Sequence, residues 1–136
     1  MSCRIILGVF LISLLANSEL AAQSGEMDYR VPVLTEAFHT DRDQGENVDS
    51  PAVWHGPSGE HWLLATAKEG HSILVFDAAD GSFLKRVGSE GASEGEFQRP
   101  NGIAVIDDLM LVVERDNARV QIFTLPGLNF AGIIAH

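Results

Sequence analysis

The chain is poor in several things, and each scarcity excludes something. Its 136 residues include one cysteine, Cys3, so no intramolecular disulfide can form. Stability must then come from a packed core or from bound metal. Nine lysines and arginines stand against nineteen aspartates and glutamates, a formal net charge of −10. Such a surface repels nucleic acid and anionic lipid, and any anion it binds needs a local cationic pocket or bound divalent metal. Long apolar runs are also scarce: one stretch, Ile5 to Ala16, is chiefly apolar, and it is shorter than the roughly 20 residues of a membrane-spanning helix. Outside it no segment sustains helical periodicity, which leaves an all-β fold.

The first residues read as an address. Met1-Ser2-Cys3-Arg4 is a basic start, Ile5 to Ala16 an apolar stretch, and Leu20-Ala21-Ala22 a small-residue end. Residues 1–22 are therefore expected to be a secretory signal peptide, with the protein secreted or periplasmic and no membrane contact after cleavage. A retained N-terminal anchor is the alternative. Cleavage would remove the only thiol and leave the net charge unchanged, because Arg4 and Glu19 cancel.

What the chain does have is an internal repeat. Leu63 to Phe76, LLATAKEGHSILVF, returns forty-seven residues later as Met110 to Phe123, MLVVERDNARVQIF. Apolar positions coincide (Leu64 with Leu111, Ile73 with Val120, Val75 with Ile122, Phe76 with Phe123), Lys68 falls on Arg115, and the same offset carries Phe83 onto Phe130 and Val87 onto Ile134. Upstream, Pro51-Ala52-Val53 is matched to Pro100-Asn101-Gly102-Ile103. A period in the forties built from short apolar runs is the sequence form of a β-propeller blade. Two four-stranded antiparallel blades are expected. The first spans residues 51–91, with strands near Ala52–Trp54, Trp62–Ala67, Ser72–Asp77 and Ser82–Val87. The second spans residues 92–136, with strands near Gly102–Ile106, Leu109–Glu114, Arg119–Thr124 and Asn129–Ile134. The Asp80-Gly81 pair between apolar runs is a hairpin signal. Residues 23–50 form an N-terminal segment with an edge strand from Arg30 to Phe38, interrupted by Pro32, and an acidic loop from His39 to Asp49. Two blades cannot close a ring of about four to eight, so the chain is expected to be the N-terminal part of a larger protein, or a truncated gene product, holding two blades of an incomplete, six-bladed propeller.

The second copy and the crossover before it carry a resemblance. Phe97, Pro100, Gly102, Ile103, Ala104 and Val105, then Asn117, Arg119, Val120, Gln121 and Phe123, are similar to the NHL-type propeller repeat, which serves scaffolds and enzymes alike. The first copy, with Asp49-Ser50-Pro51-Ala52-Val53-Trp54, then Leu64-Ala65-Thr66-Ala67-Lys68, Ile73-Leu74-Val75-Phe76-Asp77 and Asp80-Gly81, resembles the opening of the β-propeller phytases. The resemblance spans about residues 47 to 125. It implies a secreted, calcium-dependent phosphatase acting on inositol hexakisphosphate. By that resemblance Lys68 and Arg115 contact substrate phosphate and Asp49 sits at the edge of the metal cluster. Ser50 departs from the family's second aspartate, and a serine hydroxyl is a poorer, neutral calcium ligand.

The residues themselves allow this chemistry without requiring it. Lysine offers phosphate a point charge and arginine a bidentate fork, provided that Lys68 and Arg115 face one region rather than bulk solvent. Calcium prefers carboxylates and carbonyls, and the candidates are Asp41, Asp43, Glu46, Asn47 and Asp49 in the first loop, then Glu69, Asp107, Asp108, Glu114 and Asp116. Of these Asp43, Asp49 and Asp116 are the metal ligands expected; a solvated acidic loop is the alternative. Gly91-Ala92-Ser93-Glu94-Gly95 matches the serine-hydrolase elbow in letters but lacks its strand-to-helix setting. The five histidines show no zinc spacing. Trp54 and Trp62 are expected in the core. Two functions remain: a phytase-like phosphatase whose 136-residue chain is inactive without further blades, or a non-catalytic NHL-type propeller binding a protein or glycan in the cell envelope.

Overall fold

The computed structural model describes residues 31–40 and 45–135. The expected signal peptide, and Asp41 and Asp43 of the acidic loop, lie outside the described residues. Contacts divide the chain into a unit ending at Val33 and a unit from Leu34 onward. In the first, the described residues are exposed and take no regular structure. The second holds eight strands: β1 Val48–His55, β2 His61–Ala67, β3 Ser72–Asp77, β4 Phe83–Val87, β5 Pro100–Ile106, β6 Leu109–Glu114, β7 Arg119–Thr124 and β8 Asn129–Ala135.

The strands make two antiparallel four-stranded sheets, each a meander in chain order, β1-β2-β3-β4 and β5-β6-β7-β8. Every expected strand of the two repeats forms. The chain is all-β among the described residues, and neither sheet closes on itself. Of the expected edge strand, Arg30 lies outside the described residues, and residues 31–38 take no regular structure, with Val31, Val33 and Leu34 83%, 98% and 84% exposed. A strand holds its shape through a ladder of hydrogen bonds, and this segment, with one donor fewer at Pro32, meets no partner strand among the described residues.

Register also corrects the repeat alignment at its upstream end. Ala52 lies opposite Leu64 as Ala104 lies opposite Leu111, and Val48 opposite Ala67 as Pro100 opposite Glu114. Pro51 therefore corresponds to Ile103 rather than to Pro100, Asp49 to Asn101, and Asn47 to Arg99. Both first strands carry a register irregularity near their start, and the loop at residues 56–60 is longer than Asp107-Asp108, so matching letters alone slipped the frame.

The two sheets pack front to back. Leu64, Ile73 and Val75 of the first sheet, all 0% exposed, meet Met110, Val112 and Phe123 of the second. By the repeat, the counterparts of Leu64, Ile73 and Val75 are Leu111, Val120 and Ile122, on the opposite face of the second sheet. Period-2 alternation makes both faces apolar, so one sheet's front covers the other's back. Phe97, 0% exposed, fills the seam from the crossover after β4, 5.8 Å from Phe123 in a tilted ring pair. The crossover approaches so closely that a Cβ on Gly88, at φ 84°, would collide with the Phe97 ring. Trp54, 1% exposed, donates its Nε1–H across the seam to Asp108 Oδ1 at 2.9 Å. The expectation of a core Trp54 therefore holds, while Trp62 is partly buried beside it, with Lys85 Nζ 4.3 Å from its ring centre.

Candidate functional site

At one end of the seam, β1 and β5 lie side by side, tied by the Ser50 hydroxyl donating to the Asn101 carbonyl at 3.0 Å. The turns after β2 and β6 project here, and the same backbone device positions both. Lys68 N–H donates to the Asn47 carbonyl at 3.2 Å, and Arg115 N–H to the Arg99 carbonyl at 3.5 Å. Asn47 and Arg99 each adopt the left-handed conformation, φ 48° and 50°, which turns the chain sharply into its first strand.

Lys68, Arg99, Asn101 and Arg115 line one small pocket of about 20 Å³. The structure thus brings together Lys68 and Arg115, and adds Arg99 and Asn101, which sequence reading missed. The register supplies the overlooked signal: Asn101 is the counterpart of Asp49, and Arg99 that of Asn47, a correspondence hidden by the misaligned prolines.

Each cation has a carboxylate beside it. Asp49 Oδ2 lies 3.1 Å from Lys68 Nζ, and Glu69 Oε1 lies 2.6 Å from Arg99 Nη1. Asp116 accepts from Arg115 Nε at 2.6 Å and Nη2 at 3.2 Å. The Arg115 fork holds the Asp116 carboxyl below the usual aspartate range, helped by Arg99 and His71, and Asp116 in turn raises Arg115. Of the three expected metal ligands, Asp49 and Asp116 stand on this rim as counterions and Asp43 lies outside the described residues. Among the described residues no three acidic or histidine side chains group as a metal site. The carboxylates present do not, by themselves, fit a calcium ion.

The other acidic candidates have different employment. Glu46 accepts from both terminal nitrogens of Arg86, at 2.8 and 2.6 Å. Asp108 serves the Trp54 indole. Glu114, 1% exposed, spends its carboxylate on four donors: Oε1 on Arg119 Nε and Gln121 Nε2, at 2.6 and 2.8 Å, and Oε2 on Gln98 N and Asn117 Nδ2, at 2.9 and 2.6 Å. Arg119 continues the network to the carbonyls of Ala92, Ser93 and Glu96. The Asn-x-Arg-x-Gln pattern of the second repeat is therefore a clamp on the crossover.

A far larger cavity, about 910 Å³, lies on the back of the first sheet, lined by Leu74, Phe76, Phe83 and Arg86 among others. It contains none of the expected phosphate contacts, so the small cationic pocket is the better candidate despite its size. No family model matches the chain, and a search of curated proteins finds no match either.

Proposed function

We propose that the chain is part of a phytase-like phosphatase of β-propeller architecture, in which the mouth between the two sheets takes a phosphate group of an inositol phosphate. The observation that supports this reading is that Lys68 and Arg115, from equivalent turns of separate sheets, border one pocket. Front-to-back packing of successive repeats is what a ring of blades requires, and further blades would complete it. Lys68 presents a point charge and Arg115 a fork. An incoming phosphate would exchange places with Asp49 and Asp116, which now neutralise them. Calcium dependence belongs to the same proposal through the resemblance, with ligands beyond Asp49 and Asp116 supplied from outside the described residues.

The test is titration of the full chain with inositol hexakisphosphate, with calcium and with chelator. Lys68→Ala and Arg115→Ala should each weaken binding about tenfold to a hundredfold, the loss of a charge-assisted hydrogen bond of about 1.5–3 kcal/mol. In a chain supplied with further repeats, chelator-sensitive phosphate release is expected; the 136-residue chain alone should bind without turnover. The pairing of Asp49 and Asp116 with cations favours one rival, a non-catalytic NHL-type propeller binding a protein or glycan in the cell envelope. That rival predicts that both substitutions leave phosphate affinity unchanged.

A further inference from the structure

We propose that Arg99 and Asn101 form the floor of this pocket and take one oxygen of a tetrahedral oxyanion, a phosphate monoester by preference. The placement rests on the reading that phosphate comes to this mouth, and it names two contacts which that reading lacked. Buried polar atoms are nearly always hydrogen-bonded, so an unpaired one marks a missing partner. Among the described residues two buried side-chain N or O atoms have no partner, Arg99 Nε and Asn101 Oδ1, and both residues line the same pocket.

Arg99 is held ready for such a partner. Its Nη1 is engaged by Glu69, and its backbone N–H donates to His71 Nδ1 at 3.3 Å. Its Nε, however, stands 3.9 Å from Asp116 Oδ2, too far for a hydrogen bond. Asn101 sits at the register irregularity of β5, between Pro100 and Gly102 that pair with β6, and its carbonyl accepts from the Ser50 hydroxyl. Turning its amide about the last side-chain torsion exchanges acceptor for donor, so the floor can present an N–H from each residue.

Size then selects what enters. About 20 Å³ accommodates one oxygen atom or one water, and no whole phosphate. A bound phosphate would lower one oxygen onto Arg99 and Asn101 and keep the others at the rim, where the Lys68 and Arg115 side chains are 26% and 60% exposed. The Arg99 Nε–H and the turned Asn101 amide, beneath two rim cations, suit an anionic oxygen better than water, which would leave the rim cations with their carboxylates alone.

Inorganic phosphate titrated calorimetrically into the full chain tests this. Arg99→Lys keeps the charge but loses the Nε–H donor, and should weaken binding about tenfold. Asn101→Asp is nearly isosteric, places a carboxylate on the floor, and should weaken it more. Unchanged melting curves show that the fold is retained, and with two variants a folding defect in one leaves the other decisive. If both variants bind phosphate as the wild type does while Lys68→Ala does not, the floor holds water only and the inference fails, with the proposed function intact. Phosphate binding that depends on Arg99 and Asn101, without any binding of inositol hexakisphosphate, would instead sink the substrate reading and leave this one standing. A wild-type chain that binds no phosphate overturns the inference directly.

Discussion

Glu114 shows how burial reassigns a residue. A carboxylate after an apolar strand looks like a ligand in the linear chain, yet its four acceptor positions are filled by Arg119, Gln121, Asn117 and the Gln98 backbone. In the first repeat its counterpart is Ala67, so the charge belongs to one sheet and to no shared slot. Removing one member of a buried charged pair leaves the other unsatisfied, which costs about 3–5 kcal/mol. Glu114→Ala should therefore lower stability by about that much in urea denaturation. Lys68→Ala, on a half-exposed rim pair, should cost about 1 kcal/mol or less in the same measurement. Burial was the one property of Glu114 that its sequence neighbourhood did not carry.

Among the elements, the segment entering β1 is fastened at two places. Glu69 N–H donates to the Glu46 carbonyl at 3.1 Å, and the Glu46 carboxylate grips Arg86 of β4, which also donates to the Ser72 hydroxyl at 2.7 Å. The Arg86 hydrogen bonds, with its charge, hold the Glu46 carboxyl below the ordinary glutamate range. The folded state thus binds that proton less readily than the unfolded state. The stabilisation is complete above the ordinary glutamate value and is lost as pH falls through the depressed one. Melting temperatures measured across about pH 6 to 3 should fall toward acid. Glu46→Gln should make that fall shallower without abolishing it, because Asp80, Glu96 and Asp116 are lowered as well and act in the same direction. The crossover is the other fastened element: Phe97 plugs the seam and Arg119 holds the loop around it.

For the whole molecule, front-to-back packing leaves two faces without a neighbouring sheet among the described residues. On the second sheet Ile106, Leu109, Val113 and Ile134 are 57%, 40%, 44% and 58% exposed, and Leu111, Val120 and Ile122 are the repeat counterparts of residues that are fully buried in the first sheet. Contiguous exposed apolar surface drives association. Sedimentation or light scattering should show concentration-dependent association that the double substitution Ile106→Lys and Ile134→Lys reduces. Its effect on the melting transition should stay small, since both side chains are already more than half exposed.

The eight strands, their meander order and the equivalence of Lys68 with Arg115 were legible in the sequence, because side-chain alternation and turn residues are local properties that repeat along the chain. The true upstream register was hidden, since irregular pairing and unequal hairpins move residues past one another without changing their letters. Which carboxylates are buried, which rest on cations, and that Arg99 and Asn101 close the floor between Lys68 and Arg115 were decided only when two sheets met. The pocket joins turns one repeat apart in the chain, Lys68 with Arg115, and the carboxylates beside its cations lie anywhere from one to thirty residues away from them, so packing rather than chain order decides which of them are neighbours.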